Sequence, residues 1–211
     1  MNMTRKDLLC GLAIGAAVGL LGQPIIANNV QSPSLLVRVG FFVLMFLGAP
    51  AALAVASLIG RRFPSIYQFA KFAAVGVLNT TVDLGVFNVE TFFWALPGTV
   101  LFATLKAVSF LVATTNSFFW NKYWTFSSTS AATAGEVTKF YSIAIAGFFV
   151  NVGVATFVRV NQSSIISPEH WVNIVAPLTG ILATLFWNYF GYKLFVFKKA
   201  AGEAGLPAQP R

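Results

Sequence analysis

Six apolar segments, each about twenty residues long, constrain this chain more than any other feature. They run from Leu8 to Ile26, Leu35 to Ile59, Tyr67 to Trp94, Thr99 to Asn121, Phe140 to Val160 and Trp171 to Phe195. Each is apolar on all sides rather than at every second position, which favours membrane-spanning helices over the strands of a barrel. Only 9% of the residues are charged, too few for a water-soluble domain. The sequence predicts an all-α integral membrane protein with six transmembrane helices.

Basic residues between the segments orient the chain. Of the fourteen Lys and Arg residues, eleven fall on the side of the N-terminus. They are Arg5, Lys6, Arg61, Arg62, Lys71, Lys122, Lys139, Lys193, Lys198, Lys199 and Arg211. The positive-inside bias therefore places both termini in the cytoplasm of a multi-pass inner (plasma) membrane protein. Because these charges are spread over helix ends, we expect anionic membrane lipids as partners and no nucleic acid.

Two ten-residue segments repeat one pattern of aromatic, polar and Lys residues. Ser117 to Phe126 reads SFFWNKYWTF, and Asn188 to Phe197, seventy-one positions later, reads NYFGYKLFVF. Lys71-Phe72 and Lys139-Phe140 open the two units, sixty-eight positions apart. Each repeat, residues 67–126 and 137–197, therefore contains two spans. An even number of spans inserts the same way up, which predicts parallel repeats related by an axis along the membrane normal.

This duplication divides the chain into three predicted parts. Residues 65–199 form a four-helix bundle from the two repeats, residues 1–64 form an N-terminal helical hairpin, and residues 200–211 form a disordered tail. The hairpin carries Gly11, Gly15 and Gly19 at four-residue spacing, which resembles a helix-packing face and allows a homo-oligomer.

Polar residues inside the spans are the candidate binding residues, because an intramembrane charge is costly. Asp83 lies one helical turn after Asn79, and Lys106 lies at a similar depth across the turn at Pro97-Gly98. The helices are neighbours in sequence, so we expect Asp83 and Lys106 to pair. One interpretation is an ion pair that only locks two helices. The other is a cation that exchanges Asp83 for a phosphate crossing the membrane.

The repeated segments carry the other candidate residues. Asn121 and Lys122 offer amide and ammonium donors at headgroup depth, with Tyr192 and Lys193 in the matching places and Trp124 nearby. A lysine that reaches the interface beside aromatic anchors is the alternative interpretation. The in-span amides either bind a ligand or bond across helices; they are Asn116, Asn151 and Asn188.

Catalytic and metal-binding patterns are not evident in the sequence. His170 is the single histidine, and no group of His, Cys and carboxylates has metal-ligand spacing. No phosphate-binding Gly-rich loop and no nucleophile with an adjacent base is visible. We therefore expect a protein that is not an enzyme and that uses no metal and no cofactor.

Lys71 to Asp83 (KFAAVGVLNTTVD) followed by SFFWNKYWTF resembles the GtrA-like family. Phe140, Gly147 and Asn151, followed by the second exit segment, resemble that family's weaker second unit. The resemblance covers about Tyr67 to Lys199 and leaves out the hairpin.

The resemblance implies a small membrane module that flips a polyprenyl-phosphate-linked monosaccharide to the outer leaflet for surface polysaccharide or cell-wall glycosylation. It also implies a membrane-associated glycosyltransferase as partner. Asn79 and Asp83 match the family's first helix, and Asn121, Lys122, Trp124 and Phe126 match its exit motif. Ser117, Lys122 and Tyr192 depart from the family's usual Asn, Arg and Asn. Two other functions stay open: a scaffold that recruits the glycosyltransferase, and a small-solute exporter.

Overall fold

The computed structural model describes residues 2–94, 98–161 and 172–198, and within them the chain is almost entirely helical. The α-helices are α1 (Arg5–Leu21), α2 (Gln23–Asn29), α3 (Leu35–Gly60), α4 (Pro64–Phe93), α5 (Thr99–Trp120), α6 (Ala134–Val160) and α7 (Val172–Gly191). Two π-helical turns follow α5 and α7, and we name them the first exit turn (Asn121–Thr125) and the second exit turn (Tyr192–Val196).

The chain divides into two compact units, Met1–Thr125 (unit 1) and Phe126–Arg211 (unit 2). In unit 1, α1 packs on α3 and both pack on α4, which also pairs with α5. The core of unit 1 joins hairpin residues to the first repeat, with Ile14 and Leu53 against Val75 and Leu78. The hairpin is thus packed on the first repeat along its length.

Small residues on α1 allow the close approach of α3. A methyl group added at Gly11 would lie 3.1 Å from the Cα of Pro50, and one at Gly15 would lie 2.9 Å from the Cα of Phe46. Backbone atoms cannot move aside as a flexible side chain does, so alanine at Gly15 requires the helix backbones to shift, whereas at Gly11 a smaller displacement of the neighbouring atoms would suffice. The predicted packing face is confirmed, and it serves contact within the hairpin.

Two helix boundaries differ from the predicted spans for local reasons. The first predicted span breaks at Gly22, because Pro24 lies in the first turn of α2 and has no N–H to continue the α1 hydrogen-bond ladder. Helix α6 begins six residues before the predicted Phe140. There Thr133 and Glu136 form a capping box that satisfies the first N–H groups of the helix.

Three parts of unit 1 meet at one end, which we call the basic end. Arg61 Nε donates to Asn2 Oδ1 at 3.1 Å, and Lys6 Nζ donates to the carbonyl of Tyr123 at 3.0 Å. The N-terminal segment, the α3–α4 turn and the first exit turn therefore share one side, as the distribution of basic residues predicts. That this side faces the cytoplasm stays a prediction.

In unit 2, α6 and α7 pack closely through small residues. A Cβ at Gly180 would lie 2.7 Å from the carbonyl oxygen of Asn151, and one at Gly191 would lie 2.6 Å from a methyl of Ile143. Thr184 Oγ1 donates to the carbonyl of Gly147 at 2.9 Å across the interface. Such contacts are the usual means of association for helices in lipid, where apolar burial supplies little driving force.

The two exit turns occupy equivalent positions of the repeat, since Asn121–Thr125 and Tyr192–Val196 are seventy-one residues apart at both ends. In the second, the N–H of Phe197 donates to the carbonyl of Tyr192, five residues back, at 2.9 Å. A π-helical turn is rare and is found mostly at functional positions. The repeated sequence pattern therefore forms a repeated local structure.

The predicted fold class is confirmed. In the described ranges, five helical segments are long and apolar enough to cross a membrane. Helix α7, which begins at Val172, is a sixth long helix. The chain is an all-α integral membrane protein. The division into a hairpin (residues 1–64) and a four-helix bundle (65–199) stays a prediction, and the predicted disordered tail (200–211) lies outside the described residues.

Gly15→Ala tests the hairpin interface, with Gly40→Ala as the matched control. The methyl at position 15 meets the α3 backbone, and overpacking of this kind costs about 1–3 kcal/mol. At Gly40 nothing lies within 4 Å, so alanine gains up to about 1 kcal/mol of helix propensity. We expect the melting temperature, followed by tryptophan fluorescence in detergent, to fall for Gly15→Ala only. Equal shifts for the two variants would contradict this packing.

Candidate functional site

Asp83 on α4 and Lys106 on α5 form the predicted ion pair. The Lys106 Nζ lies 2.5 Å from Asp83 Oδ2. The short connection between the two helices places both residues at one depth, so the predicted contact is confirmed. The side chain of Lys106 is 40% exposed in the isolated chain, so the protein encloses this pair only partly.

Ser109 completes this pair and is a residue that the sequence argument missed. Its hydroxyl donates to the second carboxylate oxygen, Asp83 Oδ1, at 2.7 Å, and it is fully buried. Ser109 lies three residues after Lys106, so both face α4 from one side of α5. The three-residue spacing from Lys106 is the feature of the sequence that indicates this contact.

Glu90 adds a second carboxylate to the same region, and the sequence prediction also missed it. It lies seven residues after Asp83, two helical turns along the same face of α4. Its Oε2 atom is buried without a hydrogen-bond partner, and Glu90 interacts electrostatically with both Asp83 and Lys106. The Lys106 ammonium also lies 5.4 Å from the centre of the Phe87 ring. We call Asp83, Glu90, Lys106 and Ser109 the charged layer.

Asn79 and Asn116, both in unit 1, have buried side-chain atoms without a partner. The carbonyl oxygen of Asn79 and the amide nitrogen of Asn116 each lack a hydrogen-bond partner among the described residues. Buried polar atoms are normally paired, because leaving one unpaired costs about 1–3 kcal/mol. Asn79 thus has an unused acceptor and Asn116 an unused donor, and their binding of a ligand stays a prediction.

Asn121 and Lys122 open the first exit turn, and both are buried, although the sequence argument placed them at headgroup depth on the surface. Asn121 Nδ2 donates to the backbone carbonyl of Ser117 at 2.9 Å and to its hydroxyl at 3.1 Å, while Asn121 Oδ1 has no partner. Lys122 is 0% exposed, and its ammonium lies 5.9 Å from the centre of the Tyr123 ring. A ligand therefore reaches these groups only by entering the protein.

Trp124, a candidate binding residue of the first repeated segment, takes part in a contact inside unit 1. Its ring is buried, and its Nε1 donates to Asp7 Oδ1 at 3.0 Å. Asp7 also forms an ion pair with Lys71, and the Lys71 ammonium lies 5.6 Å from the centre of the Trp124 ring. The structure places Trp124 in a contact between the hairpin and the first repeat.

The predicted residues of unit 2 form a separate set. Tyr192 stacks on Phe140 with ring centres 3.9 Å apart, and Lys193 Nζ donates to the hydroxyl of Tyr189 at 3.3 Å. Asn188 lies against Gly147, where an added Cβ would come within 2.5 Å of its Oδ1, an atom with no hydrogen-bond partner. Asn151, the counterpart of Asp83 in the repeat, lies against Gly180.

Metal chemistry has no donor set in the described ranges. No group of three or more His, Cys, Asp or Glu side chains lies close enough together there to hold a metal ion.

Asp83→Asn, Lys106→Met and the double variant test the ion pair. Each single change leaves a charged partner without its counter-ion, which costs about 1.5–3 kcal/mol. The double variant removes both charges, so its loss should be smaller than the sum of the single losses. Chemical denaturation in detergent measures the three free energies of unfolding. Additive losses would mean that the two groups do not interact.

Comparison with known proteins supports the resemblance. The family model described as "GtrA/DPMS, transmembrane domain" matches residues 71–197, more than half of the chain. A similar protein is "Uncharacterized membrane protein YngA" of Bacillus subtilis (strain 168), which is 26% identical over 132 residues, 63% of this chain and 80% of that protein. No solved structure matches. The match begins at Lys71 and ends at Phe197, the first opening and last exit residue of the predicted repeats, and the chain belongs to the GtrA/DPMS transmembrane-domain family.

Proposed function

We propose that this protein flips a polyprenyl-phosphate-linked monosaccharide from the cytoplasmic to the outer leaflet, for surface polysaccharide or cell-wall glycosylation. The observation that carries the proposal is the charged layer inside the apolar spans. Family membership supports the substrate class. The name of the Bacillus subtilis relative assigns no activity.

The substrate explains why so few polar groups suffice. A prenyl chain is apolar and stays in the bilayer throughout, so only the phosphate and the sugar need a polar path. The phosphate is the charged part of the substrate, so moving it through the membrane centre has the largest free-energy cost. A cation at intermediate depth lowers that free energy by pairing with the phosphate.

Lys106 is the residue suited to this step. Its side chain is 40% exposed, whereas the side chain of Lys71, the other paired lysine of unit 1, is 8% exposed. Asp83 balances the Lys106 charge between transport events, and Ser109 holds the carboxylate in place. An arriving phosphate replaces Asp83 as the partner of Lys106. After the phosphate is released, Asp83 pairs with Lys106 again.

Capture precedes this exchange at the exit turns. In unit 1, Asn121, which has an unpaired carbonyl oxygen, and Lys122 supply an acceptor and a donor for the phosphate and the sugar hydroxyls, and Asn79 and Asn116 bond to the sugar during passage. In unit 2, Lys193, Tyr192 and Asn188 have the capture role of the second repeat, and Asn151 has the passage role. Trp124 acts by holding the first exit turn in place.

The proposed setting is the inner membrane with both termini in the cytoplasm, where a membrane-associated glycosyltransferase makes the substrate. Anionic lipids surround the basic end of the protein. Neither a catalytic step nor a cofactor is part of the proposal, because flipping breaks no covalent bond.

Lys106→Ala tests the exchange, with Lys106→Arg retaining the charge and Lys139→Ala, an exposed lysine outside the site, as control. The assay measures uptake of radiolabelled short-chain prenyl-phosphate monosaccharides into liposomes that contain the purified protein. Losing one charge-assisted hydrogen bond, about 1.5–3 kcal/mol, slows transport about ten- to hundred-fold. We expect that loss for Lys106→Ala, partial activity for Lys106→Arg and the wild-type rate for Lys139→Ala.

Three results would contradict the proposal. If Lys106→Ala takes up substrate at the wild-type rate, Lys106 has no role in transport. No uptake by the wild-type protein, together with copurification of a soluble glycosyltransferase, would identify the scaffold instead. Export of small solutes without any uptake of prenyl-phosphate sugars would identify the exporter.

A further inference from the structure

We propose that Lys71, Tyr67 and Trp124 form an anion-binding site at the basic end of unit 1. In this chain, Asp7 of the N-terminal hairpin occupies the site. The ligand class is a carboxylate or a phosphate group, from a lipid headgroup or from a free anion, which binds when the Asp7 carboxylate is absent.

The Asp7 carboxylate is held by donors on both oxygens. Oδ1 pairs with the Lys71 ammonium and accepts from Trp124 Nε1 at 3.0 Å. Oδ2 accepts from the backbone N–H of Thr4 at 3.0 Å and from its hydroxyl at 2.9 Å. An anion held by an ammonium, an indole N–H and a backbone N–H is bound by charge-assisted hydrogen bonds, the strongest kind in proteins.

The site is built inside the protein. Asp7 is 2% exposed, and Lys71, Tyr67 and Trp124 are also buried. The Tyr67 hydroxyl is buried without a well-formed hydrogen bond and lies close enough to Asp7 to interact with its charge. The hydroxyl is therefore a polar group beside the carboxylate that has no hydrogen-bond partner of its own among the described residues.

The cation is positioned by rings of its own repeat. The Lys71 ammonium lies 4.7 Å from the centre of the Tyr67 ring and 5.6 Å from that of Trp124. Cation–π contacts of this kind help to position the ammonium beside the carboxylate. Lys71, Tyr67 and Trp124 come from α4 and the first exit turn, whereas the anion and the Thr4 donors come from the N-terminal hairpin.

The family match includes two of the three host residues. It starts at Lys71 and includes Trp124, whereas Tyr67, Asp7 and the whole hairpin lie before it. The second repeat provides an internal comparison, because Lys139, the counterpart of Lys71, is exposed. Only the first repeat has its lysine covered by an anion from the hairpin.

Chemical rescue of Asp7→Ala tests the site in the full-length chain. Alanine removes the carboxylate and leaves a space of about the size of formate. We expect a lower melting temperature than wild type in a zwitterionic detergent, and a saturable rise as sodium formate is added, because a ligand that binds only the folded state stabilises it. Formamide, the neutral analogue, and gluconate, an anion too large for the space, should give no rise.

Two further variants make the result specific. Asp7→Ala combined with Lys71→Met should lose the formate response, whereas Asp7→Ala combined with Lys139→Met should keep it. A response that survives Lys71→Met, or one that formamide also produces, would overturn the proposal. If Asp7→Ala yields no folded protein, formate supplied from solubilisation onward should restore monodisperse protein. If formate restores neither the yield nor the melting temperature, the proposed anion site is also overturned.

A second arm identifies the source of the anion. Asp7→Ala is melted in nanodiscs of phosphatidylcholine alone and in nanodiscs that contain phosphatidylglycerol or a prenyl phosphate. Stabilisation by the anionic lipids, lost with Lys71→Met, identifies a lipid phosphate as the ligand. Stabilisation by formate but not by these lipids identifies a free anion. Melting requires no transport, so either result stands apart from the uptake assay.

Discussion

The ion pair between Asp7 and Lys71 connects three parts of unit 1, because the Asp7 carboxylate on α1 contacts Lys71 on α4 and Trp124 in the first exit turn. A charge removed from water is tolerated only when a counter-ion and hydrogen bonds replace its hydration. Here the Thr4 cap, the Trp124 indole and the aromatic rings beside Lys71 meet that requirement together. Helix α1, helix α4 and the first exit turn must therefore keep fixed positions relative to one another, since moving any one would leave a buried charge unpaired.

The charged layer also pairs a lysine with a carboxylate, but its lysine is less buried. Lys106 is paired with a carboxylate, but it is much more exposed than Lys71 and has a second acidic group, Glu90, close by. The Lys106–Asp83 pair is therefore less enclosed than the Asp7–Lys71 pair, and a less desolvated pair loses less when its partners separate. Unit 1 thus contains one enclosed ion pair and one partly exposed pair, and the proposed exchange uses the second.

Much of the fold follows from patterns that are local in sequence. Apolar segments of membrane length predict the helices, and a tight connection between two helices predicts that Asp83 and Lys106 meet. The repeat spacing also predicts that the two exits are alike. These features need only helix geometry, which fixes depth and face from residue number.

The remaining features depend on which helix packs on which, and at what rotation. Asp7 and Lys71 are sixty-four residues apart, and nothing in either segment alone indicates the other. Lys71 therefore appeared to be one of many basic residues at a helix end, and Trp124 appeared to be an interfacial ring. Gly22 and the Thr133 cap could have been recognised from Pro24 and Glu136, whereas the burial of Lys122 could not.

The paired π-helical turns also carry information about ancestry. A π-helical turn contains one residue more than an α-helix needs for the same rise, and such an extra residue is most simply acquired by insertion into an existing helix. Both halves carry the expansion at equivalent positions, although most of their side chains differ there. A single insertion before the predicted duplication accounts for both turns, which places the widened turn at the end of the ancestral two-helix unit.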